Sequence, residues 1–293
     1  MKKFKHAAQI SVVIISIILI LYAVAILLVL LWGLINSLKD YYEFRTNAIG
    51  LPSDWRFDNY SYALSKFVLN CKTADGGRAN VYMPQMYLNS ILYAGGSALT
   101  SAFIPCITSY VVARFKFKPL KIIYYIVIVC MVIPIVGSLP AQLRMATALG
   151  LKGHIWGMWI MSGHFLGLYF LVFYAAFQML PEGFSEAARI DGAGNLVIMF
   201  RIMFPLVRTT FFTIFLLKFI EFWNDYQTPL LFIPDSPTIA IGLYYFDSSP
   251  DSRLSSVPLR LTGCMLVFIP IFLVFLAFHN KLMGNLSMGG LKE

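Results

Sequence analysis

The chain has 293 residues, of which 59% are hydrophobic and only 13% charged, yet its formal net charge is +9. Soluble globular domains run nearer about 45–50% apolar and about 25% charged, so this composition excludes a disordered chain, a disulfide-stapled secreted domain and an ordinary soluble enzyme. It points to a protein that crosses a membrane several times.

Lys2, Lys3 and Lys5 precede the uncharged run Ile10–Ile35. That run is well beyond the roughly 7–15 residues of a signal-peptide core, and no small-x-small cleavage site follows, so it is expected to remain as the first span. Residues 36–86 are polar enough to be a long exterior loop, with Lys66 to Gln85 reading as an insertion. Five further stretches suit the hydrocarbon layer: Tyr87–Ala113, Ile122–Pro140, His154–Leu180, Leu206–Phe232 and Leu261–Met283. Backbone groups cannot go unpaired in lipid, so all six are read as helices. The expected fold class is an all-α polytopic membrane protein, residues 1–293 forming a single transmembrane domain of six spans.

Basic residues orient the spans. Arg114, Lys116, Lys118 and Lys121 crowd one short connection, whereas the first loop dilutes its lysines and arginines with Asp40, Glu43, Asp54, Asp58 and Asp75. By the positive-inside rule both termini are expected in the cytoplasm. The basic excess then becomes a topology signal and a partner-facing surface, with no nucleic acid implied.

Residues 181–205 are unlike an ordinary connector. Ser185 to Arg189 reads as a short helix, with Ser185 as N-cap and Glu186 in the first turn, where a carboxylate favours the positive helix end. Gly192 and Gly194 break it, and Leu196 to Phe204 reads as a second apolar helix ending at Pro205. A helix–glycine–helix knob of this kind suits a groove on a cytoplasmic partner.

The residues Glu186-Ala187-Ala188, Asp191-Gly192-Ala193, Ile202 and Pro205 resemble the EAA motif of the membrane subunits of binding-protein-dependent ABC importers. Phe222-Trp223-Asn224-Asp225-Tyr226, with Pro229-Leu230, Thr238 and Gly242-Leu243, is similar to the fifth-span signature of the maltose-type permease subunit. Asn89-Ser90, Ala113-Arg114-Phe115, Ser37-Leu38-Lys39 and Asn59-Tyr60 extend that likeness. The resemblance implies a type I ABC importer permease fold in a bacterial or archaeal cytoplasmic membrane. It implies half of a translocation path for an oligosaccharide or related sugar or polyol. Its partners would be a second homologous permease, two ATPase subunits carrying ATP and Mg, and an extracytoplasmic sugar-binding protein. Glu186, Ala187, Ala188, Asp191, Gly192, Ala193 and Pro205 would then couple the chain to an ATPase subunit. A permease for another solute class, such as a glycerophosphodiester, and an ion-coupled carrier are the alternatives.

Lys218, Glu221 and Asp225 share one face of the fifth span. A lone charge at mid-membrane costs about 2.5–3.5 kcal/mol on insertion scales, so such groups face a partner or an aqueous path. Either they line a polar wall, with Trp223, Asn224 and Tyr226 available to a sugar, or Lys218 and Glu221 pair while Asp225 sits near the outer interface. The loop containing Asp247, Ser248, Ser249, Pro250, Asp251 and Ser252 would, by the same resemblance, reach the binding protein. No GxxxxGK[ST] phosphate loop is present, so ATP hydrolysis is not expected on this chain. The histidines His6, His154, His164 and His279 are scattered, so neither a catalytic cluster, a metal site nor a cofactor is expected; His164 reads as a packing residue inside the fourth span.

Overall fold

The computed structural model describes residues 2–72, 77–115, 117–133, 137–247 and 256–283. The chain folds as two compact units, Met1–Phe67 with Tyr245–Ile269, and Val68–Tyr244 with Pro270–Glu293.

The first unit begins with helix α1 (Lys2–Ser37). From Val12 to Leu31 its apolar side chains are largely exposed, a surface fit for hydrocarbon. Packing begins only near its end, where a Cβ on Gly33 would stand 3.1 Å from the terminal methyl of Met265. Two short helices follow, α2 (Tyr41–Thr46), capped by the Asp40 carboxylate, and α3 (Asp58–Lys66). The loop expected after the first span is therefore a folded cap, and polar groups hold it. Asn59 Nδ2 donates to the carbonyls of Ser37 and Lys39 at 2.9 Å each. Ser37 shares a 2.8 Å hydroxyl bond with Tyr60, and Thr262 donates to Ser37 O at 3.0 Å. Lys39 is fully buried and donates to Asn47 O at 2.6 Å; buried polar groups are tolerated only when bonded in this way. Glu43 receives the Ser53 amide and hydroxyl, which hold its carboxyl below the usual value.

The second unit opens with a two-stranded antiparallel hairpin, β1 (Val68–Lys72) and β2 (Arg78–Tyr82), in which Asn70 Nδ2 donates to Asn80 Oδ1 at 3.0 Å. It occupies the stretch expected as an insertion, and it qualifies the all-α reading. Helix α4 (Met83–Arg114) starts four residues earlier than the hydropathy suggests, because Pro84 in its first turn lacks an N–H that would have been unpaired anyway. One stripe of α4 is small and buried: Ala94, Ser97, Ala98, Ser101 and Ala102. Without a hydrophobic drive between helices in lipid, small residues let backbones approach and pack.

The third and fourth expected spans are not single helices. Residues 118–148 include two helices, α5 (Lys118–Val132) and α6 (Leu139–Ala148), with Gly137 between them at φ 74°. The stretch 154–180 forms α7 (Ile155–Ser162) and α8 (Leu168–Gln178). It breaks at Gly163–Gly167, where Gly167 has φ 134°. His164 lies in that break, exposed, with ring Nδ1 3.1 Å from Leu166 O, and not in a packed helix. Among the described residues, four helical runs are long and apolar enough to cross a membrane: Val12–Ser37, Met83–Arg114, Asn195–Asn224 and Val257–Ala277.

The remaining elements are α9 (Gly183–Ile190), α10 (Asn195–Val197), a π-helical turn (Ile198–Met203), α11 (Phe204–Asn224), α12 (Gln227–Phe232), α13 (Ile239–Asp247) and α14 (Val257–Met283). The core of the second unit joins Ala102, Cys106 and Tyr110 of α4, Phe173 and Phe177 of α8, and Met203, Val207 and Phe211 around the start of α11.

Candidate functional site: the 181–205 knob and the polar end of α11

Helix α9 begins at Gly183, two residues before the expected cap. Ser185 sits inside its first turn and its hydroxyl donates to Glu182 O at 2.9 Å, so the N-terminus has no side-chain cap. Glu186 lies in the first turn, as the dipole favours. The far end closes as a Schellman motif. Gly192 donates to Arg189 O at 3.0 Å and Ala193 to Ala188 O at 2.9 Å, with Gly192 at φ 81°. A glycine is required there for its conformation alone, since a Cβ would meet nothing within 4 Å.

The chain then enters α10, and the helix does not stop at Pro205. It runs on as one piece from Asn195 to Asn224. Proline cannot donate to the preceding turn and its ring crowds it; the backbone answers by widening into the π turn just before it, where the regular ladder gives way. Pro205 is thus a seam inside a helix rather than its end.

The motif residues divide into two groups. Ala188 is 7% exposed and belongs to the core with Tyr110, Phe177 and Ile198, so it roots the knob rather than meeting a partner. Ala187, Glu186, Asp191, Gly192 and Pro205 are exposed, and Ala193 is half-buried. Glu186 and Asp191 make no ion pair among the described residues. Asp191 stands at the C-terminal end of α9, where the dipole disfavours a carboxylate. Three large apolar side chains that the motif does not include surround these acids: Phe184 at 49% exposure, Ile190 at 86% and Leu196 at 72%. Their signal was present in the sequence as apolar residues flanking the acids, but only the fold shows that they point outward.

Arg114 ties the knob's base to α4. One guanidinium nitrogen donates to both Phe177 O and Leu180 O at 2.7 Å, satisfying carbonyls at the end of α8.

Along α11, Lys218 Nζ holds both carboxylate oxygens of Glu221, at 2.9 and 2.8 Å. The ammonium also lies 5.3 Å from the Tyr169 ring and 5.7 Å from the Phe222 ring. Glu221 is exposed, so this pair presents a carboxylate on the surface of the unit. Asp225 lies past the helix end in extended backbone. It accepts from Tyr93 Oη at 3.1 Å and from the Thr228 amide at 3.1 Å, fixing the start of α12. Trp223 does not join that surface. It is 4% exposed and packed between Tyr87 and Phe219, with ring centroids at 6.2 and 5.8 Å. Asn224 is exposed and donates to Ile220 O at 2.8 Å, and Tyr226 stacks on Tyr244 at 5.0 Å. Asn89 and Ser90 anchor the following turn, Asn89 Nδ2 donating to Pro237 O at 3.0 Å and Ser90 Oγ accepting from the Ile239 amide at 2.7 Å.

Of the loop expected to reach a binding protein, Asp247 pairs with Arg260 Nε at 3.2 Å, while Ser248, Ser249, Pro250, Asp251 and Ser252 lie outside the described residues. Among the described residues, no group of three or more His, Cys, Asp or Glu side chains is placed to hold a metal ion.

Residues 85–286 match the family model described as the inner membrane component of binding-protein-dependent transport systems. The diacetylchitobiose uptake system permease protein of Streptomyces coelicolor is 26% identical, covering 92% of this chain and 86% of that protein. A probable starch degradation products transport system permease protein of Thermoanaerobacterium thermosulfurigenes is 29% identical, covering 89% of each. The melibiose/raffinose/stachyose import permease protein of Bacillus subtilis is 27% identical, covering 88% and 89%. Among solved structures, a bacterial ABC transporter that imports the acidic polysaccharide alginate has a chain sharing this fold, with a TM-score of 0.73 at 21% identity over 93% of this chain and 96% of that one.

Proposed function

The chain belongs to the family of inner membrane components of binding-protein-dependent transport systems, and from that premise we propose that it forms half of the translocation path of an ATP-driven importer for an oligosaccharide or related sugar. The observation that carries this reading is the knob of residues 183–196. It is rooted in the core by Ala188, turned at Gly192, and exposes the carboxylates of Glu186 and Asp191, unpaired among the described residues, together with Phe184, Ile190 and Leu196. Unpaired charge beside large apolar side chains is the anatomy of a protein interface: apolar anchors desolvate and the acids choose a basic partner. The partner is an ATPase subunit, and closure of the ATPase pair would move the knob and switch the path between inward- and outward-facing states. ATP and Mg are bound by that subunit, with none required on this chain.

A second homologous permease completes the path, and an extracytoplasmic binding protein delivers the solute. The solute-facing wall includes the Lys218–Glu221 pair, Asn224 and Tyr226, while Trp223 and Asp225 shape the wall from behind. The sugar class is supported by the names of the chitobiose, starch-product and raffinose relatives. Both termini lie in the cytoplasm, on the side of the knob.

Co-purification tests this reading. Tagged wild-type chain, expressed with its cognate ATPase, is expected to retain the ATPase through gel filtration. The variant Glu186→Lys/Asp191→Lys is expected to lose it while keeping the same detergent-micelle elution volume. Equal retention by both proteins would refute the docking role of the knob.

A further inference from the structure

Between the end of α4, the start of α5 and the last turn of α8 lies an open cavity of 320 Å³. Its lining includes the rings of Tyr124, Tyr125 and Tyr174 and the polar side chains of Lys121, Gln178 and Glu182. The rings are inclined to one another: the Tyr124 centroid is 4.8 Å from Tyr174 at 38° and 5.7 Å from Tyr125 at 73°. Gln178 Nε2 donates to the Tyr174 hydroxyl at 3.0 Å, fixing that ring.

Inclined aromatic faces beside a carboxylate form a site for an organic ammonium, because the negative ring faces and Glu182 attract the same charge. Lys121 on the same wall offers the opposite charge. A ligand with an ammonium and a phosphate a few bonds apart satisfies both. The cavity also lies at the ends of apolar helices, beside the charged residues Arg114, Lys118, Lys121 and Glu182, which is the level of membrane headgroups. Beyond it, Ile122, Tyr125, Ile126 and Val129 are exposed along one face of α5, leaving an apolar track for acyl chains.

We propose that this cavity binds the headgroup of a phosphatidylethanolamine-type lipid, the ammonium held by the tyrosines and Glu182 and the phosphate by Lys121. Neither the transported solute nor the ATPase enters this inference.

Native mass spectrometry of the full-length chain in mild detergent provides the test, with phosphatidylethanolamine, phosphatidylglycerol of the same acyl chains, and free phosphoethanolamine as probes. The wild type is expected to bind one phosphatidylethanolamine saturably and about five-fold or more tighter than phosphatidylglycerol, the scale of one ammonium–ring interaction. Tyr125→Leu and Glu182→Gln are expected to erase that preference, whereas Tyr125→Phe keeps the ring and keeps it. Tyr125 is 62% exposed, so none of this depends on the fold. Equal affinity for phosphatidylglycerol would reduce the site to Lys121 and overturn the proposal. Equal losses in Tyr125→Phe and Tyr125→Leu would remove the cage. Binding of free phosphoethanolamine as tight as the lipid would remove the membrane lipid as the occupant.

Discussion

Ile190→Asp combined with Leu196→Asp is expected to uncouple the importer almost completely. At 86% and 72% exposure these side chains contribute little to the fold of the chain alone, so the variant should insert and purify like the wild type. At an interface the same side chains are central apolar anchors. Truncating an anchor costs about 2 kcal/mol or more, roughly thirty-fold in affinity, and introducing a carboxylate adds a desolvated charge. Two such changes are expected to lower ATPase affinity at least a hundredfold and to reduce solute-stimulated ATP hydrolysis to the basal rate of the ATPase. The check is ATP turnover by the reconstituted complex against ATPase concentration. Unchanged half-saturation would mean that the apolar rim of the knob is lipid-facing or solvated and not docked.

Among the described glycines, Gly157→Ala is expected to be strongly destabilising. A Cβ at position 157 would stand 2.1 Å from Leu151 O and 2.9 Å from its carbonyl carbon. Those are backbone atoms, and Leu151 N already bonds Ala146 O at 2.8 Å, so the obstacle cannot swing aside like the end of a flexible side chain. Overpacking commonly costs about 1–3 kcal/mol and more where the backbone itself must shift. Met158, Leu151, Ala146, Tyr93 and Phe232 share one buried cluster, so the displacement would spread into the N-terminal half of α4 and the α12 region. The expected result is a loss of monodisperse protein and a fall of several degrees in the detergent melting temperature. The exposed Gly183→Ala, where a Cβ meets nothing within 4 Å, is expected to leave both unchanged.

The sequence was most legible where one physical demand dominates. An uncharged run like that of α1 has no alternative to helix in lipid, and Gly192 announces a backbone that must turn through positive φ. The EAA-like spacing located the knob and its exposed acids. Hydropathy was blind to continuity, however. The stretches 122–140 and 154–180 are apolar enough to cross, yet glycines part the helices within them, and apolar content alone carries no record of that. The hairpin was hidden because its strands are only five residues each and mix six apolar with four polar side chains, and cross-strand partners such as Asn70 and Asn80 are recognised only once the register exists. Pro205 looked like a stop because a regular α-helix cannot hold it, but a π turn can. Trp223 looked available because the neighbouring Phe219 covers it on one side only. Tyr87, far away in sequence, stacks against it as well. Arg114 was legible as a charge and not as the clamp on Phe177 and Leu180.

The placement of charge tells the same story. Among the described residues the acids on the knob stay unpaired, whereas Glu221 and Asp225 are held by partners within the chain. An unpaired surface carboxylate is free to recognise a partner, and a neutralised pair in a span lowers the cost of membrane burial. This division supports the proposal of coupling at the knob and passage at the end of α11.

The most direct measurement is uptake into proteoliposomes holding this chain with its second permease and ATPase, with loaded binding protein outside. Accumulation that requires enclosed ATP, persists when ionophores collapse ion gradients, and disappears in Ile190→Asp/Leu196→Asp is the predicted result. Accumulation driven by an imposed ion gradient without ATP would identify an ion-coupled carrier and contradict the account.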